Sequence, residues 1–107
     1  MAFYELRQYL VRPGKMSEWL ELMEGEIIPF QVSKGMVITG SFRGEEEDSG
    51  YIWLRRVNSE SERVALYAAV YESDHCKNLV SPQVAKLLDR EQIQVTRIVP
   101  TEKSTVQ

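Results

Sequence analysis

The chain has 107 residues, 43% of them hydrophobic and 27% charged, with a formal net charge of −3 at pH 7. This length and composition predict one globular folding unit of ordinary type. Nucleic acid is excluded as a partner, because no stripe of basic residues is available to contact phosphates.

The sequence contains no run of 18 apolar residues and no basic-then-apolar leader, so we expect no membrane span and a cytoplasmic location. One cysteine and one histidine cannot form an intrachain disulfide or an ordinary structural zinc site. Glycine-rich phosphate loops, nucleophile elbows and paired metal-ligand motifs are also absent. We therefore expect neither a metal nor a cofactor.

Residues 3–11 alternate between two unlike faces, which predicts a β-strand that ends at Pro13-Gly14. From Lys15 onward, apolar residues recur at steps of three and four and predict one stripe of an amphipathic helix. Pro29 is expected to kink or thin the last turn of that helix.

The segment "MVITGSF" predicts a second strand, and its interior Gly40 indicates a bulge or a close backbone approach. The polar stretch "RGEEEDSG" predicts a hairpin that leads to a third strand, "YIWLRRV". The acidic run 45–48 is interpreted as a solvated hairpin tip rather than a cation site, since it lacks the alternating ligands of a calcium loop.

Ser59 and Glu62 form a predicted capping box at the start of a second helix. A further helical stretch is expected to begin at Ser73 or Asp74, to restart at Ser81-Pro82 and to end near Arg90. The segment "EQIQVTRIV" predicts the last strand.

The order β-α-β-β-α-β predicts an α+β, ferredoxin-like fold: a four-stranded antiparallel sheet with helices on one face. Residues 1–100 are expected to form a single domain, and 101–107 a polar C-terminal tail. We expect Trp53, Tyr9, Phe3 and Met36 or Phe42 on the open face. Pairing of two such faces would make a homodimer with the form of a dimeric α/β barrel.

Four stretches of the chain, taken in order, resemble the NIPSNAP family in its small bacterial form: "YELRQYLVRPGKMSEWL", "IIPFQVSKGMVITGSF", "YIWLRRVNSESER" and "LLDREQIQVTRIVPT". The resemblance covers nearly the whole chain and implies the dimeric α/β barrel fold. It implies no particular reaction, because that barrel is used by oxygenases, haem-degrading enzymes and stress-response proteins alike.

Charged residues on the strands are the main candidates for a site. Glu5, Arg7 and Tyr9 share one strand face, as Trp53 does with Arg55 and Val95 does with Arg97. If these faces coincide, Arg7, Trp53, Arg55 and Arg97 could bind a carboxylate or enolate ligand. The alternative is structural: Glu5 pairs with Arg7, Arg55 or Arg97 across the dimer and only fixes strand register, with Arg56 replacing Arg55 if the faces are reversed.

The remaining candidates each have an ordinary structural reading. His75 could act as a general base or a haem ligand, or simply face solvent. Cys76 is interpreted as a small buried residue. Tyr67 and Tyr71, with Trp19 and Trp53, could line an aromatic cavity or belong to the core.

Two functions follow from these residues. The first is a homodimeric module that binds a small anionic or aromatic molecule or supports assembly, without established catalysis. The alternative is a cofactor-independent oxygenase or isomerase acting on a small aromatic or enolic acid, in which Glu5, Tyr9 or His75 would transfer a proton.

Overall fold

The computed structural model describes residues 2–46 and 49–107. Its four strands are β1 (Phe3–Leu10), β2 (Val37–Arg43), β3 (Gly50–Val57) and β4 (Gln94–Ile98). They form an antiparallel sheet in the order β2-β3-β1-β4. The predicted order of elements and the α+β, ferredoxin-like architecture are confirmed. Glu47 and Asp48 of the predicted hairpin tip lie outside the described residues.

Each helical region is interrupted by a widened, π-helical turn. The first comprises α1 (Met16–Leu22), a π turn (Met23–Ile27) and α2 (Ile28–Ser33), and the second comprises α3 (Glu60–Tyr71), a π turn (His75–Val80), α4 (Ser81–Leu87) and a short 3₁₀ turn (Arg90–Gln92). Both π turns lie just before a proline in the first turn of the next helix, Pro29 and Pro82. Proline has no N–H for the normal helical bond, so the distortion falls before Pro29 instead of in the last turn.

The predicted cap of α3 is present. Ser59 Oγ accepts a hydrogen bond from the backbone N–H of Glu62 at 3.1 Å, and Glu62 Oε1 accepts one from the backbone N–H of Asn58 at 3.0 Å. Two donors at the helix start are thereby satisfied. The cap fixes where α3 begins, and so which of its tyrosines reach the sheet.

The bulge predicted at Gly40 is also confirmed. The register between β2 and β3 shifts between Ile38 and Gly40. A Cβ atom on Gly40 would collide with the ring of Phe42. Glycine therefore allows the Phe42 ring to lie against the strand backbone.

The face of the sheet that carries the charged residues is covered by the helices. Glu5 lies opposite Arg55, Arg7 opposite Trp53, and Tyr9 opposite Tyr51. We predicted an open face bearing Trp53, Tyr9, Phe3 and Met36 or Phe42. This is wrong for Trp53, Tyr9, Phe3 and Met36, which are buried, whereas Phe42 is exposed on the opposite face. Alternation along a strand shows which residues share a face, but not which face the helices cover.

The helix-covered face holds an aromatic core. The Trp19 ring on α1 makes edge-to-face contacts with Tyr9, at 5.8 Å between ring centroids, and with Tyr51, at 5.7 Å. Trp53 contacts Tyr9 in the same way at 6.2 Å. These contacts bury large apolar rings and hold the first helical region against β1 and β3.

The opposite face of the sheet is only partly covered. Leu10, Ile52 and Phe42 are exposed on it. At the other end of this face residues 101–107 fold back, and a backbone oxygen of Gln107 accepts hydrogen bonds from Tyr4 and Arg56, each at 2.8 Å. One end of the open face is thus covered within the chain, and the other stays accessible.

The helices found in residues 2–46 and 49–107 all lack the length and hydrophobicity needed to cross a membrane. The cytoplasmic location stays a prediction from the sequence.

Candidate functional site

A buried ion pair between neighbouring strands forms the base of the candidate site. Arg55 Nη2 lies 2.7 Å from Glu5 Oε1, and Arg55 Nε donates to the same oxygen at 3.1 Å. The Arg55 side chain is 1% exposed and that of Glu5 is 3% exposed. Since a charge is stable at such depth only when it is paired and hydrogen-bonded, the two residues depend on each other.

Residues from two helices complete the hydrogen bonding of Arg55. Its Nη1 donates to Gln31 Oε1 at 3.0 Å and to Tyr71 OH at 2.7 Å, and its Nη2 also donates to Tyr67 OH at 2.9 Å. With the two bonds to Glu5, the five N–H groups of the guanidinium have five oxygen acceptors. Arg55 therefore has no donor left for a ligand.

The carboxylate of Glu5 is equally occupied. Its second oxygen, Oε2, accepts a hydrogen bond from Tyr67 OH at 2.6 Å. Glu5 thus pairs with an arginine, as the structural alternative predicted, but the partner is Arg55 of the same chain and not an arginine across a dimer. Arg56 instead faces the other side of the sheet, where it bonds to Gln107.

Arg7 also lies on this face, and no carboxylate of the described residues forms an ion pair with it. Its Nε donates to Tyr9 OH at 2.8 Å and its Nη1 to Tyr67 OH at 3.3 Å. Its Cζ lies 5.6 Å from the ring centroid of Tyr9 and 5.9 Å from that of Trp53. Within the described part of the chain, Nη2 donates no hydrogen bond and no acidic side chain forms a salt bridge with Arg7.

A cavity of about 190 Å³ lies between this face of the sheet and the helices, and Arg7 is in its wall. Its apolar wall comes mainly from the helices: Trp19, Met23, Ile27, Val80, Val84 and Leu88. The polar residues of the lining include Arg7, Gln31, Tyr71 and Arg90. None of the described lining residues is an aspartate or a glutamate. The cavity is therefore apolar with an excess of positive charge.

The pKa shifts of the lining groups agree with an excess of positive charge in the cavity. Burial opposes the charge of Arg7, but Coulomb interactions with Tyr9, Tyr71 and Tyr67, together with a hydrogen bond to Tyr9, outweigh it and raise the pKa of Arg7. Burial also raises the pKa of Tyr9, with Arg7 opposing the shift. At neutral pH the cavity wall thus carries a guanidinium cation beside a neutral phenol.

Arg97 and His75 lie outside this cavity. Arg97 Nη1 is 2.8 Å from Glu60 Oε2 on the protein surface, and its Cζ lies 3.8 Å from the ring centroid of Phe3. The His75 ring stacks on Phe30 at 4.3 Å, and its Nε2 lies 3.5 Å from Glu26 Oε2. The structure brings together Glu5, Arg7, Tyr9, Trp53 and Arg55, but not these two.

Gln31 and Arg90 are polar lining residues that were not among the sequence candidates. Gln31 is 3% exposed and follows Ile27 by four positions, so a polar residue on the apolar stripe of the first helix was the available signal. Arg90 lies in an exposed turn at the cavity rim and bonds to Ser81, and no sequence pattern indicated it. Cys76 also lines the cavity, and burial, opposed by Arg90, raises the pKa of its thiol.

No group of three or more histidine, cysteine, aspartate or glutamate side chains in residues 2–46 and 49–107 is placed to hold a metal ion. The side chains that line the cavity supply two guanidinium groups, hydroxyls, a thiol, an amide and an apolar wall.

Comparison with known proteins identifies one family. The family model for NIPSNAP matches residues 4–103. The chain is similar to a NIPSNAP family protein of Agrobacterium tumefaciens strain C58, with 24% identity, 100% of each chain covered and a TM-score of 0.87. A second protein of that strain, described as a NIPSNAP family protein with unknown function, has 20% identity, coverage of 99% and 94%, and a TM-score of 0.88.

An uncharacterized NIPSNAP domain protein from Burkholderia xenovorans has 16% identity, coverage of 95% and 97%, and a TM-score of 0.82. At these identities the similarity of the structures shows the fold. No curated protein matches the chain.

Replacing Glu5 by glutamine should strongly destabilise the fold, because Arg55 would keep its buried charge without a counter-charge. We expect a loss of about 3–5 kcal/mol in the free energy of unfolding, measured by urea denaturation. Lys15→Gln is the control, since Lys15 forms an exposed pair with Glu18 at 3.4 Å and its loss should have little effect. Equal effects of the two variants would contradict a structural role for the Glu5–Arg55 pair.

The stability of the protein should fall at alkaline pH. Burial raises the pKa of Tyr51 from its ordinary value of 10 to about 12, with the hydrogen bond to Ser41 opposing the shift. The folded state holds this proton more tightly than the unfolded state does, and this difference stabilises the fold. The stabilisation is fully present below pH 10 and is lost as the pH rises toward 12. Between about pH 9 and about pH 11.5, the free energy of unfolding should fall less in Tyr51→Phe than in the unmodified protein, because phenylalanine has no proton to lose. An equal or steeper loss in the variant, measured by urea unfolding, would count against this shift.

Proposed function

This chain belongs to the NIPSNAP family, and we propose that it is a small-molecule-binding module that holds an organic anion in the cavity beside Arg7. Binding would take place between the sheet and the helices of a single chain. The location follows from where the helices lie, since they enclose the charged face of the sheet and leave the opposite face accessible.

One observation carries the proposal: Arg7 is a partly buried cation whose charge no acidic residue of the described chain balances. Glu5 is the acidic residue closest to it along β1, and both its oxygens are already bonded to Arg55 and Tyr67. A cation in a mostly apolar cavity favours an anionic ligand, because the ligand replaces the water that burial removes.

No observation favours the oxygenase or isomerase alternative over binding. Both oxygens of Glu5 are hydrogen-bonded, to Arg55 and Tyr67, and the ion pair with Arg55 would have to break for Glu5 to accept a proton. The raised pKa of Tyr9 keeps its phenol neutral near pH 7. His75 packs on Phe30 and is not among the residues that line the cavity. Binding therefore accounts for the cavity with fewer assumptions than a reaction.

The proposal is tested by isothermal titration of a panel of small carboxylates, from acetate to 2-naphthoate, into the protein. At least one should bind, and Arg7→Gln should weaken that binding about 10- to 100-fold, since a hydrogen bond to a charged group contributes about 1.5–3 kcal/mol. Arg97→Gln is the matched control, because Arg97 lies on the same side of the sheet but outside the cavity. Binding to none of the panel, or equal loss in both variants, would refute the proposal.

We also propose that the protein forms a homodimer through the accessible half of its open sheet face. Support comes from the exposed apolar side chains of Leu10, Ile52 and Phe42 on that half. Such a patch on a sheet is typical of an interface. The half near Tyr4 is already covered by the end of the same chain, so the contact would centre on Ile52.

Light scattering after size-exclusion chromatography tests the dimer. The unmodified protein should elute at twice the 12.4 kDa mass of one chain. Ile52→Asp should elute as a monomer, because two buried carboxylates would face each other across the contact. Val64→Asp places the same charge on an exposed apolar position of α3 and should stay dimeric. A monomeric unmodified protein, or dissociation of both variants, would contradict this interface.

A further inference from the structure

The ligand class follows from the shape of the cavity and from a second donor in its wall. We infer that the cavity takes a monocarboxylate with a single six-membered ring, whose carboxylate is held between Arg7 Nη2 and Gln31 Nε2. This inference rests on the proposed function and adds the size, the charge and the second contact of the ligand.

The orientation of the Gln31 amide is determined by Arg55. A guanidinium only donates hydrogen bonds, so the group facing Arg55 Nη1 at 3.0 Å must be the amide oxygen, Oε1. The amide nitrogen therefore lies on the side away from Arg55. Gln31 lines the cavity at 3% exposure, and its Nε2 donates no hydrogen bond to any described residue. Gln31 therefore presents a donor in the cavity wall that an acceptor on a ligand can use.

The volume limits the size of the ligand. An apolar cavity of about 150 Å³ takes benzene, and one water molecule occupies about 30 Å³ of the liquid. The cavity here measures about 190 Å³. The difference accommodates a carboxylate attached to one ring, whereas a second fused ring would extend out of the cavity toward solvent.

The charges of the lining limit the charge of the ligand. Arg7 balances one carboxylate. The remaining wall is largely apolar, and the other cation, Arg90, lies at the exposed rim, where it bonds to Ser81. A second carboxylate inside the cavity would therefore be buried without a partner, which is strongly unfavourable.

Four test ligands separate these constraints in isothermal titrations at neutral pH. Benzoate should bind at least about tenfold more tightly than 2-naphthoate, which is too large, than phthalate, which carries a second charge, and than benzyl alcohol, which carries none. Equal affinity for phthalate or 2-naphthoate, lost in Arg7→Gln, would overturn this inference while the proposed function stands. If no carboxylate binds, both are overturned.

The contact with Gln31 is tested by Gln31→Glu. Glutamate keeps an acceptor for Arg55 but presents a negative oxygen to the cavity, so benzoate binding should weaken at least about tenfold while the thermal midpoint changes little. Unchanged benzoate affinity in the folded variant would overturn the role of Gln31.

A measurement on the unmodified protein covers the case in which that variant does not fold. On addition of benzoate, the side-chain NH₂ resonances of Gln31 should shift in ¹H–¹⁵N NMR spectra, while those of Gln94, exposed on β4, should not. Benzoate binding that depends on Arg7 but leaves the Gln31 resonances in place would overturn the contact.

Discussion

The ion pair between Glu5 and Arg55 is the interaction on which the rest of the structure depends. It joins β1 to β3, and through Gln31, Tyr67 and Tyr71 it also connects the sheet to α2 and α3. Such a pair is tolerated at 1% and 3% exposure because the hydrogen-bonding groups of both partners are occupied. Both helical regions are thereby placed over the charged face of the sheet.

The same network explains why Arg7 is available. Three arginines and one glutamate lie on this face; Arg97 pairs with Glu60 at the exposed edge, and the glutamate of the face, Glu5, is fully used by Arg55. Tyr67 connects Arg7 and Arg55, since it accepts from both and donates to Glu5. The surplus positive charge is therefore a consequence of how Arg55 is satisfied, and the orientation of the Gln31 amide has the same cause. Fold and candidate site are two results of one set of hydrogen bonds.

Much of this arrangement could be predicted from the sequence. Alternation placed Glu5, Arg7 and Tyr9 on one face, and apolar periodicity with the Ser59 cap located the helices. The covered face could not be predicted, because β1 carries apolar residues on both sides: Phe3 and Tyr9 on one, Tyr4, Leu6 and Leu10 on the other. Strand alternation gave Arg55 and Arg97 the same predicted face. In the structure Arg55 is buried, whereas Arg97 lies at the exposed edge of the sheet. The free donor of Gln31 depends on a contact distant in sequence, and local patterns do not contain it.

Among the described residues, Arg7 has donors without a partner, while all five N–H groups of Arg55 are bonded. The most direct measurement follows the Nε–H resonances of the two arginines by ¹H–¹⁵N NMR as benzoate is added. The Arg7 resonance should shift in a saturable manner, and the Arg55 resonance should move much less. A larger shift at Arg55, or saturable binding that moves neither resonance, would contradict the binding of a ligand to Arg7.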